Sequence, residues 1–170
     1  MDLDHGQAGF VRRLAEHRGI LFKVADAYCR NRTDREDLVQ NIVAQLWRSY
    51  PRFDDRKTFS TWMYRIAVNV AISFYRSETR RLRHVVPAEA SIVETIAQPP
   101  NEEPDEGLDL VRAFIEHLAP LDRALMILYL DDSPYATIAE ILGITPTNVA
   151  TKINRIRQRL KHELAATRQS

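Results

Sequence analysis

The chain has 170 residues, of which 45% are hydrophobic and 28% charged, so it can bury a core as one domain or as two small ones and is not a disordered tail. No apolar run approaches the roughly 20 residues of a membrane helix, and the opening MDLDHGQAGF lacks a signal-peptide core, so the expected location is the cytoplasm with no membrane insertion. The formal net charge is only +1, but it is a cancellation: Arg76–Arg83 holds four Arg against one Glu, His84–Leu110 seven acids and no Lys or Arg, and Tyr135–Ser170 six basic residues against two Glu. Basic segments separated by more than a Debye length, about 8 Å at physiological salt, attract phosphate independently of the acidic segment between them.

In chain order, a first helix is expected from about Ala8 to Tyr28, with Phe10, Leu14, Leu21, Val24 and Tyr28 as core positions. Thr33, followed three residues later by Glu36, matches a capping box and opens a second helix to about Tyr50. There Leu38, Ile42 and Leu46 face inward, leaving Asp37, Gln40, Asn41, Gln45 and Arg48 outside. Pro51 ends this helix, and the polar loop RFDDRKT follows. Ser60 is an expected N-cap for a long helix, Phe59 to Arg83, with Trp62, Ile66, Ala67, Val70 and Phe74 on one side. Arg65, Asn69, Ser73, Arg76 and Arg80 form a polar stripe on another side that turns basic toward its end.

The segment 84–107 carries four prolines and the acidic cluster and reads as an extended linker. Beyond it come helices Leu108 to Leu118 and Leu121 to Leu130, with Leu110, Val111, Phe114, Leu118, Leu121, Leu125, Leu128 and Tyr129 as apolar positions. Ser133-Pro134 and Thr145-Pro146 each give an N-cap with proline in the first turn. Between them Gly143 ends a short helix, Tyr135 to Leu142, and a last helix runs to about Leu164. Two helices joined by a glycine turn, with small Ala139 at their approach, fit a helix-turn-helix. The fold class is therefore all-α, two small helical domains joined by an acidic Pro-rich linker.

In that unit Val149, Ile153, Ile156 and Leu160 pack inward and Thr147, Asn148, Thr151, Lys152 and Arg155 face outward, types that read base edges in the major groove. Arg157, Arg159 and Lys161 suit phosphates. The five histidines show no metal-ligand spacing, the single Cys29 cannot form an internal disulfide, and there is no glycine-rich phosphate loop, so no metal, cofactor or small-molecule substrate is expected, nor an enzyme.

At these segments the sequence resembles a bacterial RNA polymerase sigma factor of the extracytoplasmic-function type. DREDLVQNIVAQLW (Asp34–Trp47) is similar to the segment that docks on the polymerase clamp, FSTWMYRIAVN (Phe59–Asn69) to the −10 recognition segment, and Leu121–Leu160 to the −35 domain. The resemblance implies domains at 1–83, 84–107 and 108–170. It implies core polymerase (clamp and flap regions) and promoter DNA as partners, and an inhibitory anti-sigma factor. It also implies that Asp37, Leu38, Gln40, Asn41, Gln45 and Trp47 bind polymerase. Phe53, Lys57, Thr58, Phe59, Trp62, Arg65, Asn69, Ser73, Arg76 and Arg80 would then hold the −10 element, which needs aromatic walls for an unstacked base and cations for phosphates. Thr147, Asn148, Thr151, Lys152, Arg155, Arg157 and Arg159 would hold the −35 element. The acidic linker would thread through the polymerase toward the path of new RNA.

Three positions depart from the family pattern. Asn41 follows the docking Gln40 where an acid is usual. Ala150-Thr151-Lys152 replaces a small residue flanked by two basic ones. Asp54 and Asp55 put negative charge in the loop that meets DNA. The competing reading is an independent helix-turn-helix regulator, which leaves the Asp34 helix and the polar stripe without a task.

Overall fold

The computed structural model describes residues 6–84 and 106–168. The expected linker lies almost wholly outside them. The chain divides into two compact units, Met1–Gln98 and Pro99–Ser170, and among the described residues it is helical with no strand. No helix among those residues is long and apolar enough to cross a membrane.

In the first unit α1 (Gln7–Glu16), α2 (Arg18–Tyr28), α3 (Arg32–Ser49) and α4 (Phe59–His84) pack together, with a short 3-10 turn at Tyr50–Arg52. The single first helix expected from sequence is two. The backbone turns at His17 (φ −115°, ψ 16°), whose ring Nδ1 and backbone N–H both reach the Arg13 carbonyl, and Gly19 just beyond is a poor helix former. Phe10, Leu21, Val24 and Tyr28 are buried as expected, whereas Leu14 is half-buried.

The N-cap of α3 is Asn31 rather than Thr33. Asn31 Oδ1 accepts the Asp34 N–H at 2.8 Å, and Arg32 takes the Glu36 carboxylate at 2.7 Å, so no capping box forms. Leu38, Ile42 and Leu46 are fully buried at four-residue steps against α4. On α4 the buried face is Met63, Tyr64, Ala67, Val68 and Ala71. That face is rotated from the expected stripe, of which only Ala67 is fully buried; Trp62, Ile66, Val70 and Phe74 lie half-buried on its flank. Ser60 falls inside the first turn and is not the cap. The helix is already running at Phe59, with the Trp62 N–H on the Thr58 carbonyl.

The second unit comprises α5 (Glu106–Glu116), α6 (Pro120–Leu130), α7 (Tyr135–Leu142) and α8 (Pro146–Arg168). Phe114, Leu118, Leu125, Leu128, Ile138, Ile141, Val149, Ile153 and Ile156 form its core, while Leu110 stays exposed. Arg123 is buried, and its guanidinium donates to the carbonyls of Glu116 and Leu118, satisfying acceptors left open where α5 ends. The N-cap position of α7 is Pro134, not Ser133, which sits in the preceding turn with its N–H on the Leu128 carbonyl. Gly143 adopts φ 68°, ψ 34°, the left-handed cap its sequence position implies, with its N–H on the Ala139 carbonyl. Thr145 Oγ1 accepts the Asn148 N–H at 3.1 Å, capping α8 ahead of Pro146.

Candidate nucleic-acid interface

In the first unit the surface is built where the loop 53–58 meets α4. Phe53 and Phe59 are buried at 5% and 7% exposure. They form the floor of the loop, edge-on to one another at 5.5 Å, rather than standing exposed on it. Trp62 rests on both, at 5.0 Å from Phe53 and 5.2 Å from Phe59, and keeps part of its ring exposed. By helical phase Trp62 begins the stripe of Arg65, Asn69, Ser73, Arg76 and Arg80, since 62, 65, 69, 73, 76 and 80 recur at three- and four-residue steps. The sequence reading put Trp62 on the apolar side. It is instead an aromatic shelf at the head of an exposed polar stripe, supported from beneath by buried rings. All five polar members of the stripe are exposed.

The loop has a defined shape. Asp54 accepts from the Arg56 backbone N–H at 3.1 Å and from its guanidinium Nε and Nη2 at 2.9 and 2.8 Å. Those bonds pull the Asp54 carboxyl down to about 2. The Lys57 N–H closes a turn onto the Asp54 carbonyl, and the Thr58 and Thr61 hydroxyls bond at 2.8 Å. Lys57 and Thr58 are exposed. Asp55 pairs with Arg13 of α1 at 2.9 Å, a partner 42 positions away that no local pattern announces.

On α3, Asp37, Gln40, Asn41 and Trp47 are exposed and Gln45 is half-buried, its amide 3.4 Å from the Ser49 hydroxyl. Leu38 shows no exposure and lies beneath these residues in the core. Trp47 stands 46% exposed with its ring edge-on to Phe10 at 5.2 Å.

In the second unit Thr147, Asn148 and Thr151 are exposed on the first turns of α8, and Arg155, Arg157 and Arg159 further along. Asn148, Thr151, Arg155 and Arg159 share one side at three- and four-residue steps. Arg157, two residues from each flanking arginine, points to the other side. Lys152, expected to face outward, is half-buried. Its ammonium is 3.3 Å from Asp122 on α6, and the two side chains are 25% and 16% exposed. The Arg159 guanidinium lies over the Phe114 ring at 5.7 Å, tying it to α5 while leaving it exposed. Among the described residues no group of three or more His, Cys, Asp or Glu is placed to hold a metal ion.

The fold is helical, with an exposed polar stripe headed by Trp62 in one unit and a helix-turn-helix, the fold of a DNA-binding domain, in the other. The family models for Sigma-70 region 2 and Sigma-70 region 4 match residues 14–81 and 108–160. The chain is 30% identical over 144 residues to the ECF RNA polymerase sigma-E factor of Haemophilus influenzae, covering 79% of this chain and 76% of that one. It is 30% identical to ECF sigma factor SigE of Mycolicibacterium smegmatis across 88% of its own length, but spans only 59% of that relative. Against RNA polymerase sigma factor SigV of Bacillus subtilis the identity is 23%, with 93% and 92% coverage. Solved structures of similar fold are CnrH in complex with the cytosolic domain of CnrY (TM-score 0.68, 23% identity, 95% of this chain and 90% of that one) and sigma factor RpoE in complex with the anti-sigma factor NepR from Bartonella quintana (TM-score 0.72, 23% identity, 92% and 97%). The chain belongs to the ECF family of RNA polymerase sigma factors and is an alternative sigma factor.

Proposed function

We propose a division of labour among these surfaces. The exposed face of α3, Asp37, Gln40, Asn41, Gln45 and Trp47, docks on the clamp of core RNA polymerase, with Trp47 as its apolar anchor. Asn41, neutral where relatives often carry an acid, makes this contact less ionic. The loop 53–58 and the α4 stripe hold the unwound −10 strand. An extruded base stacks against Trp62, Lys57 and Thr58 address the loop side, and Arg65, Asn69, Ser73, Arg76 and Arg80 follow the backbone. Capturing the single strand helps melting by mass action, because it binds the open form and not the duplex.

The helix-turn-helix places the start of α8 in the major groove of the −35 element. Thr147, Asn148, Thr151 and Arg155 meet base edges, and Arg157 and Arg159 meet phosphates on either side of the helix. The domains are 1–83 for polymerase and the −10 element and 108–170 for the −35 element, joined by the acidic 84–107. The chain acts in the cytoplasm and carries no catalytic centre of its own. An anti-sigma factor is a natural partner, since CnrH and RpoE were each solved with a partner of this kind or a cytosolic domain.

The observation that carries this reading is the α4 stripe, an exposed run of hydrogen-bonding and cationic side chains headed by a ring held up by buried aromatics. The test is transcription from a random promoter library by core polymerase with and without the chain. Discrete starts that require the chain, each with related −35 and −10 elements, are the expected result. Retention of specific duplexes without any start site would make it an independent duplex-binding regulator instead.

A further inference from the structure

We propose that Arg13, on α1 and one residue before the stretch matched as region 2, is a positioning residue for the −10 loop. The proposal rests on the reading of that loop as a −10 contact. Arg13 makes two contacts with the loop at once. Its Nη1 holds Asp55 at 2.9 Å, and its guanidinium lies over the Phe53 ring at 5.3 Å from the centroid. The next turn of the same helix reaches the far end of the loop, because His17 packs its ring 5.3 Å from Phe59 while its Nδ1 bonds the Arg13 carbonyl at 2.9 Å. Arg13 and His17 thus grip Phe53, Asp55 and Phe59, three of the seven residues from 53 to 59.

Two consequences follow for a strand arriving at Trp62, Lys57 and Thr58. A loop already held in its binding shape loses less conformational entropy on binding. The internal Asp54–Arg56 tie shapes only three residues, whereas the Arg13 contacts join Phe53 and Asp55 to α1. Arg13 also offsets the charge that Asp55, 43% exposed, carries in the loop that meets phosphates. The acid that looks unfavourable for a DNA-binding loop is therefore half of a brace.

The test uses holoenzyme assembled from the full chain and bacterial core polymerase, with a labelled single-stranded oligonucleotide carrying the −10 element found by start-site mapping. Base-substituted versions measure selectivity. Arg13→Ala is expected to weaken strand binding about fivefold and to flatten the preference for the correct base, with core binding and −35 duplex binding unchanged. Arg13→Lys, which retains the charge but not the planar fork, recovers part of the loss. Adding Asp55→Asn to Arg13→Ala costs nothing further and recovers part of the loss, because it removes the charge that Arg13 offset.

Base preference is the readout a purely structural role does not move. Weaker binding in step with less folded protein, with preference intact, overturns the proposal. So does an additive Asp55→Asn effect. If Lys57→Ala lowers strand binding and Arg13→Ala does not, Arg13 has no positioning role and the −10 reading stands. If neither changes it, both fail.

Discussion

Replacing Asp122 by Asn tests what the structure decides about Lys152. In the native chain the ammonium and carboxylate are 3.3 Å apart and mostly shielded from solvent, so the pair presents little net charge to DNA. Asn keeps the size of the side chain and an acceptor for Nζ but removes the negative charge. The face that carries Asn148, Thr151, Arg155 and Arg159 then gains one cation. At an effective dielectric of ~20 the Coulomb attraction lost is ~5 kcal/mol, but recovered hydration offsets most of it, and a net destabilisation of about 1 kcal/mol is expected.

The binding effect is larger and has a distinct signature. Each phosphate neutralised adds about 0.9 to the slope of log K against log salt, so the variant should lose a further ~3.5-fold in affinity between 50 and 200 mM salt relative to wild type. At the low end of that range it should bind the −35 duplex more tightly than wild type. The assay is fluorescence anisotropy of the full chain on a −35 duplex at several salt concentrations, with circular dichroism melting as the folding control. Lys152→Ala added to Asp122→Asn should return the slope to the native value. A slope that stays the same in Asp122→Asn, or one that the added Lys152→Ala does not reverse, would refute the reasoning, because the gain would then not come from the released Lys152.

Gly143→Ala should cost about 1 kcal/mol in thermal unfolding of the helix-turn-helix unit. An added Cβ meets nothing within 4 Å, so the cost is the positive φ alone, and Gly143→Asn should cost less. The Asp54 carboxyl is lowered to about 2 by its hydrogen bonds from Arg56, so the tie is complete above the ordinary value near 3.8 and is lost as pH falls through about 2. NMR titration of that carboxyl should follow the loss of the Arg56 Nε–H signal, and Asp54→Asn should abolish both. Arg76→Ala should reduce the salt slope for the −10 single strand by about 0.7 and leave −35 duplex binding alone. Trp47→Ala should weaken assembly with core polymerase with little loss of folding, while Leu38→Ala should cost 2–5 kcal/mol in unfolding, as expected for a fully buried side chain.

The glycine cap at Gly143, the cap at Thr145-Pro146 and the inward sides of α3 and α8 were legible because each depends on residues within one or two turns of one another. Leu38, Ile42 and Leu46 must lie on one face if the segment is helical at all. Gly143 and Thr145-Pro146 carry local backbone preferences that no distant contact overrules. The exposed members of the α4 stripe were legible for the same reason.

Competing local preferences were not settled by pattern. Asn31 and Thr33 can both cap a helix, and the pairing of Arg32 with Glu36 left the position to Asn31. Phe53 and Phe59 have the chemistry of base-stacking residues, but packing against Tyr50 and Trp62 turned them into the floor beneath the half-buried Trp62 ring. Charge pairing across distant segments lay furthest from reach. Arg13 with Asp55 and Lys152 with Asp122 join residues 42 and 30 positions apart. The sequence by itself determined that the chain is helical, which sides of α3 and α8 turn inward and where the left-handed glycine cap falls, whereas the break at His17 and the buried side of α4 came from packing. Only the tertiary structure decided which of those cations and rings are already committed inside the protein, because that depends on which surfaces the packed helices bring within a few ångströms.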